Sequence, residues 1–259
     1  MNEISICKLC SRERKVIRSH LIPRAIYRLL GQPGSDPVHV SSDAVIQSSR
    51  QITAYLLCRD CDGGLNKHGE TWLIPLLARR DGEFPLYDIL QNVPPEIDSP
   101  TLKVYSAVKN PGIHVDRLLH FAMGIFWKAS VHSWRGRKNE PLIHLGKYKE
   151  PLRRFVRREG PFPSNMTLTA TVLPKPVRVI ASNVPYGGPH DGCHKYIFCV
   201  PGIAFALHVG NQIPTPVRDT CCASNPSRPI VLADLSFQLL SLAADVAAPA
   251  RTSRKLQSL

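Results

Sequence analysis

The chain has 259 residues, of which 43% are hydrophobic and 20% are charged, a balance that excludes disordered and fibrous proteins. Lysine and arginine number 33 against 20 aspartates and glutamates, which gives a formal charge of +13 and a pI near 9.6. The excess of positive charge favours a polyanionic partner, and nucleic acid is the leading class.

The sequence gives no sign of export or of a membrane span. The first ten residues lack a basic segment followed by an apolar stretch, and the apolar run at 118–134 is interrupted by His120, Lys128 and His132. We therefore expect a cytoplasmic protein that has no contact with a membrane.

Cysteine spacing is the strongest pattern in the chain. Without an export signal, eight cysteines are better explained as thiols or metal ligands than as disulfides. Cys7 and Cys10 form one CxxC pair, and Cys58 and Cys61 form a second. Four thiolates predict a tetrahedral Zn²⁺ site with no open coordination position, so this zinc is structural. Ordinary buried cysteines or a redox pair are the alternative.

The elements around the two pairs are short. The residue pattern predicts a strand at 14–19, a helix from Pro23 to Leu30 and a strand at 52–57. A further helix is predicted from about Arg59 to beyond Glu70. Six basic residues in this part are predicted to contact nucleic-acid phosphates: Arg12, Arg14, Lys15, Arg18, Arg24 and Arg28.

The remainder of the chain has mixed α and β character. Apolar residues at helical spacing predict a central core helix at 116–134. Strands are predicted at 166–173, 177–182, 196–200 and 204–209, and a closing helix at 230–247. The prediction is an α+β protein with a zinc-stapled module at 1–72, a larger mixed α+β domain of unknown role at 73–247 and a basic flexible tail at 248–259.

The segment between the CxxC pairs carries a resemblance to a known family. Ser19-His20-Leu21-Ile22-Pro23 lies between the pairs, and Asp62 directly follows the second pair. Over its first 70 or so residues the chain resembles the HNH (ββα-metal) endonuclease family in its zinc-stapled form. The resemblance implies a ββα-metal module in which Cys7, Cys10, Cys58 and Cys61 hold zinc.

The same resemblance implies an activity. His20 takes the place of the general base that activates water, and Asp62 takes a position that often holds a metal-ligating histidine. The implied reaction is hydrolysis of a nucleic-acid phosphodiester, DNA more than RNA, with catalytic Mg²⁺ or Mn²⁺ at the scissile phosphate. A bacterial or phage conflict setting is suggested by the family alone.

The chain departs from the family pattern at two points. Ser19 stands where the family commonly has aspartate or histidine, and Gln51 and Thr53 stand near the position of its central asparagine. If the segment after Arg59 is helical, Asp62, Asn66 and Glu70 share one face, and this face could form a hard-metal site opposite His20. Asp62 and Glu70 are therefore candidate catalytic residues beside His20.

The departures leave alternatives open. One is a catalytically decayed zinc module that binds nucleic acid without cleavage, and another is a protein-interaction role. A homodimer is expected only if the enzyme cuts paired sites, which the sequence does not decide. The basic run at 147–158, with Tyr148 and Phe155 interleaved, is either a nucleic-acid groove or a solvated face.

A second group of thiols shows no regular spacing. Its members either form a second metal site or are buried or surface thiols: Cys193, His194, Cys199, Cys221 and Cys222.

Overall fold

A computed structural model describes residues 4–31, 34–40, 45–134 and 140–252, and side chains as far as residue 248. The elements of the N-terminal part are, in chain order, β1 (Ile4–Ile6), β2 (Glu13–His20), α1 (Arg24–Leu30), β3 (Val38–Val40), β4 (Val45–Gln47), β5 (Thr53–Cys58), α2 (Arg59–Leu65), α3 (Thr71–Leu73) and α4 (Pro85–Leu90).

The N-terminal part is built on a three-stranded antiparallel sheet in the order β1-β2-β5. Strand β5 is mostly apolar, strand β2 carries Val16 and Ile17 among charged residues, and α1 begins directly after Pro23. The predicted strands at 14–19 and 52–57 and the helix at 23–30 are therefore confirmed to within one residue. A separate two-stranded hairpin pairs β3 with β4.

The helix predicted from Arg59 to beyond Glu70 is confirmed, but it is not regular. A π-helical turn, Asn66–Glu70, separates α2 from α3. Such turns insert extra residues per turn, so they rotate the following residues relative to those before them. A face defined by residues four apart does not continue through this segment.

A second, larger sheet occupies the rest of the chain. Its elements and their neighbours are, in chain order, β6 (Ile97–Asp98), β7 (Leu102–Ser106), α5 (Val115–Val131), α6 (Lys149–Val156), β8 (Met166–Val172), β9 (Tyr186–His190), β10 (Cys193–Val200), β11 (Ile203–Val209), α7 (Thr215–Asp219), β12 (Pro229–Ala233) and α8 (Ser236–Thr252). The seven strands lie in the order β6-β7-β12-β8-β11-β10-β9, and only the β12–β8 pair is parallel. The mixed α and β class is thus confirmed.

Two predicted elements of this part are wrong. Residues 177–182 form no strand, and the segment 230–247 is not one helix, since it begins in β12 and continues after a break into α8. Residues of β12 are buried on both faces of the sheet, and the resulting unbroken apolar run cannot be told from a helix by periodicity. The predicted loose tail is helical as far as Thr252, and its last seven residues lie outside the described part of the chain.

Helix α5 is the central element that joins the two sheets. The prediction at 116–134 is confirmed, and most α5 residues are buried. On one side, Phe121 packs against Phe198 and Phe205 of the large sheet at ring-centroid distances of 6.5 and 6.0 Å. On the other side, α5 contacts the π-helical turn. Over the described ranges, no helix is both long and apolar enough to cross a bilayer.

The contact between α5 and the π-helical turn depends on a glycine. A Cβ atom added to Gly69 would lie 2.8 Å from the Cα atom of Phe121, whereas one added to Gly63 in α2 would meet nothing within 4 Å. We expect Gly69→Ala to lower the free energy of unfolding by about 1–3 kcal/mol because the backbones must separate. Gly63→Ala is the matched control and is expected to raise it by up to about 1 kcal/mol. Urea unfolding measures both, and equal effects of the two substitutions would contradict this packing.

Candidate metal centre and active site

The two CxxC pairs meet at one end of the small sheet. Cys7 and Cys10 lie in the turn between β1 and β2, Cys58 ends β5, and Cys61 lies in the first turn of α2. Their four sulfur atoms all lie within 4.8 Å of one another, and the Cys10 and Cys58 sulfurs are 4.0 Å apart. Four thiols at this spacing can bind one structural metal ion such as zinc, whose thiolate bonds are about 2.3 Å long.

Backbone groups around Cys7 favour the thiolate form that a metal needs, whereas burial raises the pKa of Cys58 and the bond to Cys7 raises the pKa of Cys61. The backbone N–H of Cys58 donates to the Cys7 sulfur at 3.3 Å. The Cys61 side chain and the surrounding N–H groups lower the pKa of Cys7. Helix α6 also holds the first CxxC turn, because the Arg153 guanidinium donates to the Leu9 carbonyl at 2.6 Å. Residues far apart in sequence thus fix this turn.

His20 lies at the end of β2, after an irregularity in the pairing with β5 between Ile17 and Arg18. Bulges of this kind re-aim the side chains that follow. Here Ser19 is fully buried, and its hydroxyl has no hydrogen-bond partner within the described residues. His20 remains partly exposed, and its Nε2 atom lies 2.7 Å from Oε1 of Gln51.

The bond to Gln51 fixes the orientation of the imidazole. An amide oxygen accepts only, so Nε2 carries the proton and Nδ1 keeps a lone pair. The structure gives Nδ1 no hydrogen bond to any residue of the described ranges. Burial lowers the pKa of His20 below its usual 6.5, so the ring is mostly neutral at pH 7. Gln51 therefore supplies a side-chain amide beside His20.

A buried lysine lies beside His20, and the sequence analysis did not identify its role. Lys128 of α5 is 3% exposed and donates to the His20 backbone carbonyl at 2.7 Å. Burial lowers the pKa of Lys128, and the nearby carboxylates of Glu70 and Asp62 oppose that effect. The only available signal in the sequence was a single cation within the apolar run of the core helix.

Of the three residues predicted on one helical face, Asp62 and Glu70 lie near Lys128, whereas Asn66 does not take part. Asp62 and Glu70 both interact with Lys128, and burial raises the pKa of Glu70. Asn66 is exposed, and its side-chain oxygen accepts a hydrogen bond from the Thr71 hydroxyl at 2.8 Å. The π-helical turn begins at Asn66, so the four-residue spacing holds from Asp62 to Asn66 and is broken before Glu70. Across the described residues, the four cysteines form the only group of three or more ligand atoms spaced for one ion.

The six basic residues predicted to bind nucleic acid are all exposed, and four of them lie at two places. Arg18 donates to the Thr53 hydroxyl at 2.7 Å beside the paired ends of β2 and β5, and the charge of Arg24 lowers the pKa of His20. Arg12 and Arg14 instead lie by the cysteines. Lys15 and Arg28 are exposed on β2 and α1, respectively.

The other four cysteines are buried, and three of their thiols donate to backbone carbonyls. The Cys193 thiol donates to the His190 carbonyl at 3.1 Å, and the Cys222 thiol donates to the Leu168 carbonyl at 3.2 Å. Burial raises the pKa of Cys199 to about 12. Within the described ranges, these thiols and His194 do not assemble into a metal-binding group, so the alternative of buried thiols is the one that fits.

Comparison with protein-family models, with curated proteins and with solved structures finds no match for this chain. Its chemistry must therefore be inferred from its own residues.

The interaction between Lys128 and Glu70 leads to a measurable expectation. Lys128→Met leaves the His20 carbonyl without its donor and removes the cation beside Glu70, so we expect a loss of about 3 kcal/mol in the free energy of unfolding. Glu70→Gln combined with Lys128→Met should cost less than the sum of the two single substitutions. Urea unfolding of the four proteins measures this coupling. Additive effects would show that the two charges do not interact.

Proposed function

We propose that the chain hydrolyses phosphodiester bonds of nucleic acid, DNA rather than RNA, in a metal-dependent reaction with His20 as the general base. In this proposal β2, β5 and α2 are a ββα-metal module, and zinc bound by the four cysteines staples it. The observation that carries the proposal is the His20 imidazole. It is neutral, partly exposed and oriented by Gln51 at 2.7 Å, with Nδ1 available to accept a proton.

The proposed reaction assigns each residue one task. His20 Nδ1 removes a proton from a water molecule, and the resulting hydroxide attacks the phosphorus as the bond to the leaving oxygen breaks. Lys128 holds the backbone of His20 in place through the carbonyl. Arg18 and Arg24, which flank this end of β2, contact phosphates on either side of the scissile bond.

Asp62 is the residue proposed to hold the catalytic metal ion. Mg²⁺ commonly binds through one or two carboxylates together with waters and substrate phosphates, so a single carboxylate near His20 fits this ion. When bound, the ion would supply Lewis-acid stabilisation of the charge that develops on the phosphate. Glu70, which is partly buried, would offset the positive charge of Lys128.

A second candidate function is nucleic-acid binding without cleavage. It is favoured by Lys128, because the amine of this residue already lies near the carboxylates that a catalytic metal ion would need. The buried Ser19 hydroxyl, at a position where the family carries a metal ligand, points the same way. Both candidates predict salt-dependent binding, and only cleavage separates them.

Incubation of supercoiled plasmid with the zinc-loaded protein tests the proposal. We expect nicked or linear product with Mg²⁺ or Mn²⁺ and none when EDTA is added. Binding without any product in either metal would favour the second candidate. A protein that neither binds nor cuts the plasmid would overturn both.

A further inference from the structure

A pocket lies between the cysteine cluster and the end of α6. Cys10, Cys58 and Cys61 form part of its wall, so it adjoins the metal centre, whereas His20 does not line it. It has a volume of about 260 Å³. Arginines come from both parts of the chain, Arg12 and Arg14 from the β1–β2 region and Arg157 and Arg158 from the end of α6. His68 and His120 complete one wall, with ring centroids 5.5 Å apart.

Helix α2 separates this pocket from His20. Asp60 and Gly64 line the pocket, whereas Asp62 acts on His20. Residues two apart on a helix lie about 200° apart around its axis, so Asp60 and Asp62 point to opposite faces. An α-helix with its side chains is about 10–12 Å across, so the pocket and His20 are separated by a distance of about this size.

The pocket suits an anion. Four guanidinium groups line it, and Asp60 is its only carboxylate among the described residues. A zinc ion with four thiolates carries two further negative charges, so the arginines still give a positive balance. Arg157 also pairs with the exposed Glu159 at 2.6 Å, and a surface pair of this kind contributes so little that it can yield to a phosphate.

The backbone of Arg158 is held in an unfavourable conformation. Arg158 follows α6 with a φ of 61°, and the Glu159 N–H donates to the Arg154 carbonyl at 2.8 Å. This is the left-handed position at a helix end where glycine is the favoured residue. Its side chain contacts His68 at 3.2 Å at the pocket wall. Strained residues of this kind cluster at ligand-binding places, and the strain here directs a guanidinium to the pocket.

We propose that this pocket binds a phosphate group of a nucleic-acid strand, one that is distinct from the phosphate cut at His20. The inference rests on the proposed function and adds to it a second anchoring point, supplied partly by α6. Arginine suits this task because its planar fork of N–H donors matches phosphate oxygens. The basic run predicted at 147–158 would then face nucleic acid only through its last two arginines, and the rest of α6 would be structural.

Arg158→Gly is the decisive variant because it should change stability and binding in opposite directions. Relief of backbone strain should raise the thermal midpoint, whereas loss of the guanidinium should lower the affinity for DNA. We expect its thermal midpoint to rise by about 2 °C, since glycine adopts this φ without strain. We expect its affinity for a labelled DNA duplex, measured by fluorescence anisotropy without added divalent cation, to fall about tenfold. The salt dependence should also weaken by about one phosphate contact. Arg154→Gln removes the same charge from an exposed α6 residue outside the pocket and should bind as the parent does.

The duplex is measured with and without a 5′-phosphate. If Arg158→Gly abolishes a preference for the phosphorylated duplex, the pocket holds a terminal phosphate; an equal loss for both duplexes assigns a backbone phosphate. Arg158→Gly binding as tightly as the parent, while the parent still cuts plasmid, would overturn the pocket and leave the proposed function intact. A parent protein that neither binds duplex nor cuts plasmid would overturn both.

Discussion

Replacing His20 by alanine is expected to lower the rate of plasmid cleavage by about 10²- to 10⁴-fold, the usual contribution of a general base. The Nε2 atom of His20 is bonded to Gln51, and its Nδ1 atom has no hydrogen-bond partner in the described part of the chain. Alanine removes the proposed proton acceptor and leaves in place the arginines that we propose to bind phosphates. Single-turnover cleavage of supercoiled plasmid, with protein in excess, measures the effect on the chemical step.

The control for this variant must separate chemistry from folding. His20→Ala should retain the zinc content and the urea midpoint of the parent, since the side chain is partly exposed and lies outside the cysteine cluster. Gln51→Ala should slow cleavage less, because it loosens the imidazole and leaves the base present. A cleavage rate unchanged in His20→Ala would remove His20 from the mechanism.

Removing the structural metal is expected to unfold the N-terminal part of the chain. Structural zinc contributes about 10–16 kcal/mol of apparent binding free energy in small zinc peptides, whereas a whole domain is stable by only about 5–15 kcal/mol. The four cysteines join the β1–β2 turn to the β5–α2 junction. Cys61→Ser, or a strong zinc chelator added to the parent, should therefore expose this part to limited proteolysis and abolish cleavage.

Cys193→Ser is the matched control for the metal. The Cys193 thiol is buried in the large sheet and donates to the His190 carbonyl, a bond that a serine hydroxyl can replace. Its zinc content and proteolysis pattern should equal those of the parent. A parent protein that contains no zinc when purified, and whose proteolysis is unchanged by chelation, would contradict a structural metal at the four cysteines.

The elements around the cysteines could be predicted because their signals are local. Pro23 before α1, the β-branched run of β5 and the two-residue spacing within each CxxC pair all act over a few residues. The meeting of the two pairs was predictable from chemistry, since four thiolates in two pairs are the usual donor set for one zinc ion. The π-helical turn had no such signal, and the shared face of Asp62, Asn66 and Glu70 was lost with it.

The parts that the sequence did not reveal depend on contacts between distant segments. Lys128 reaches His20 across 108 positions, and Arg153 reaches Leu9 across 144. Neither residue has a neighbour in sequence that indicates its partner. Strand β12 also depends on distant segments, since it pairs with β7 and β8, and its burial on both faces removes the alternation that marks a strand.

In the proposed mechanism, His20 activates water in a nucleic-acid cleavage site that zinc stabilises. Its most direct test compares the nicking rates of the parent and His20→Ala on supercoiled plasmid in Mn²⁺, at equal measured zinc content. We expect metal-dependent nicking by the parent and a rate at least about 10²-fold lower for His20→Ala. Equal rates, or plasmid binding with no nicking by the zinc-loaded parent, would contradict it.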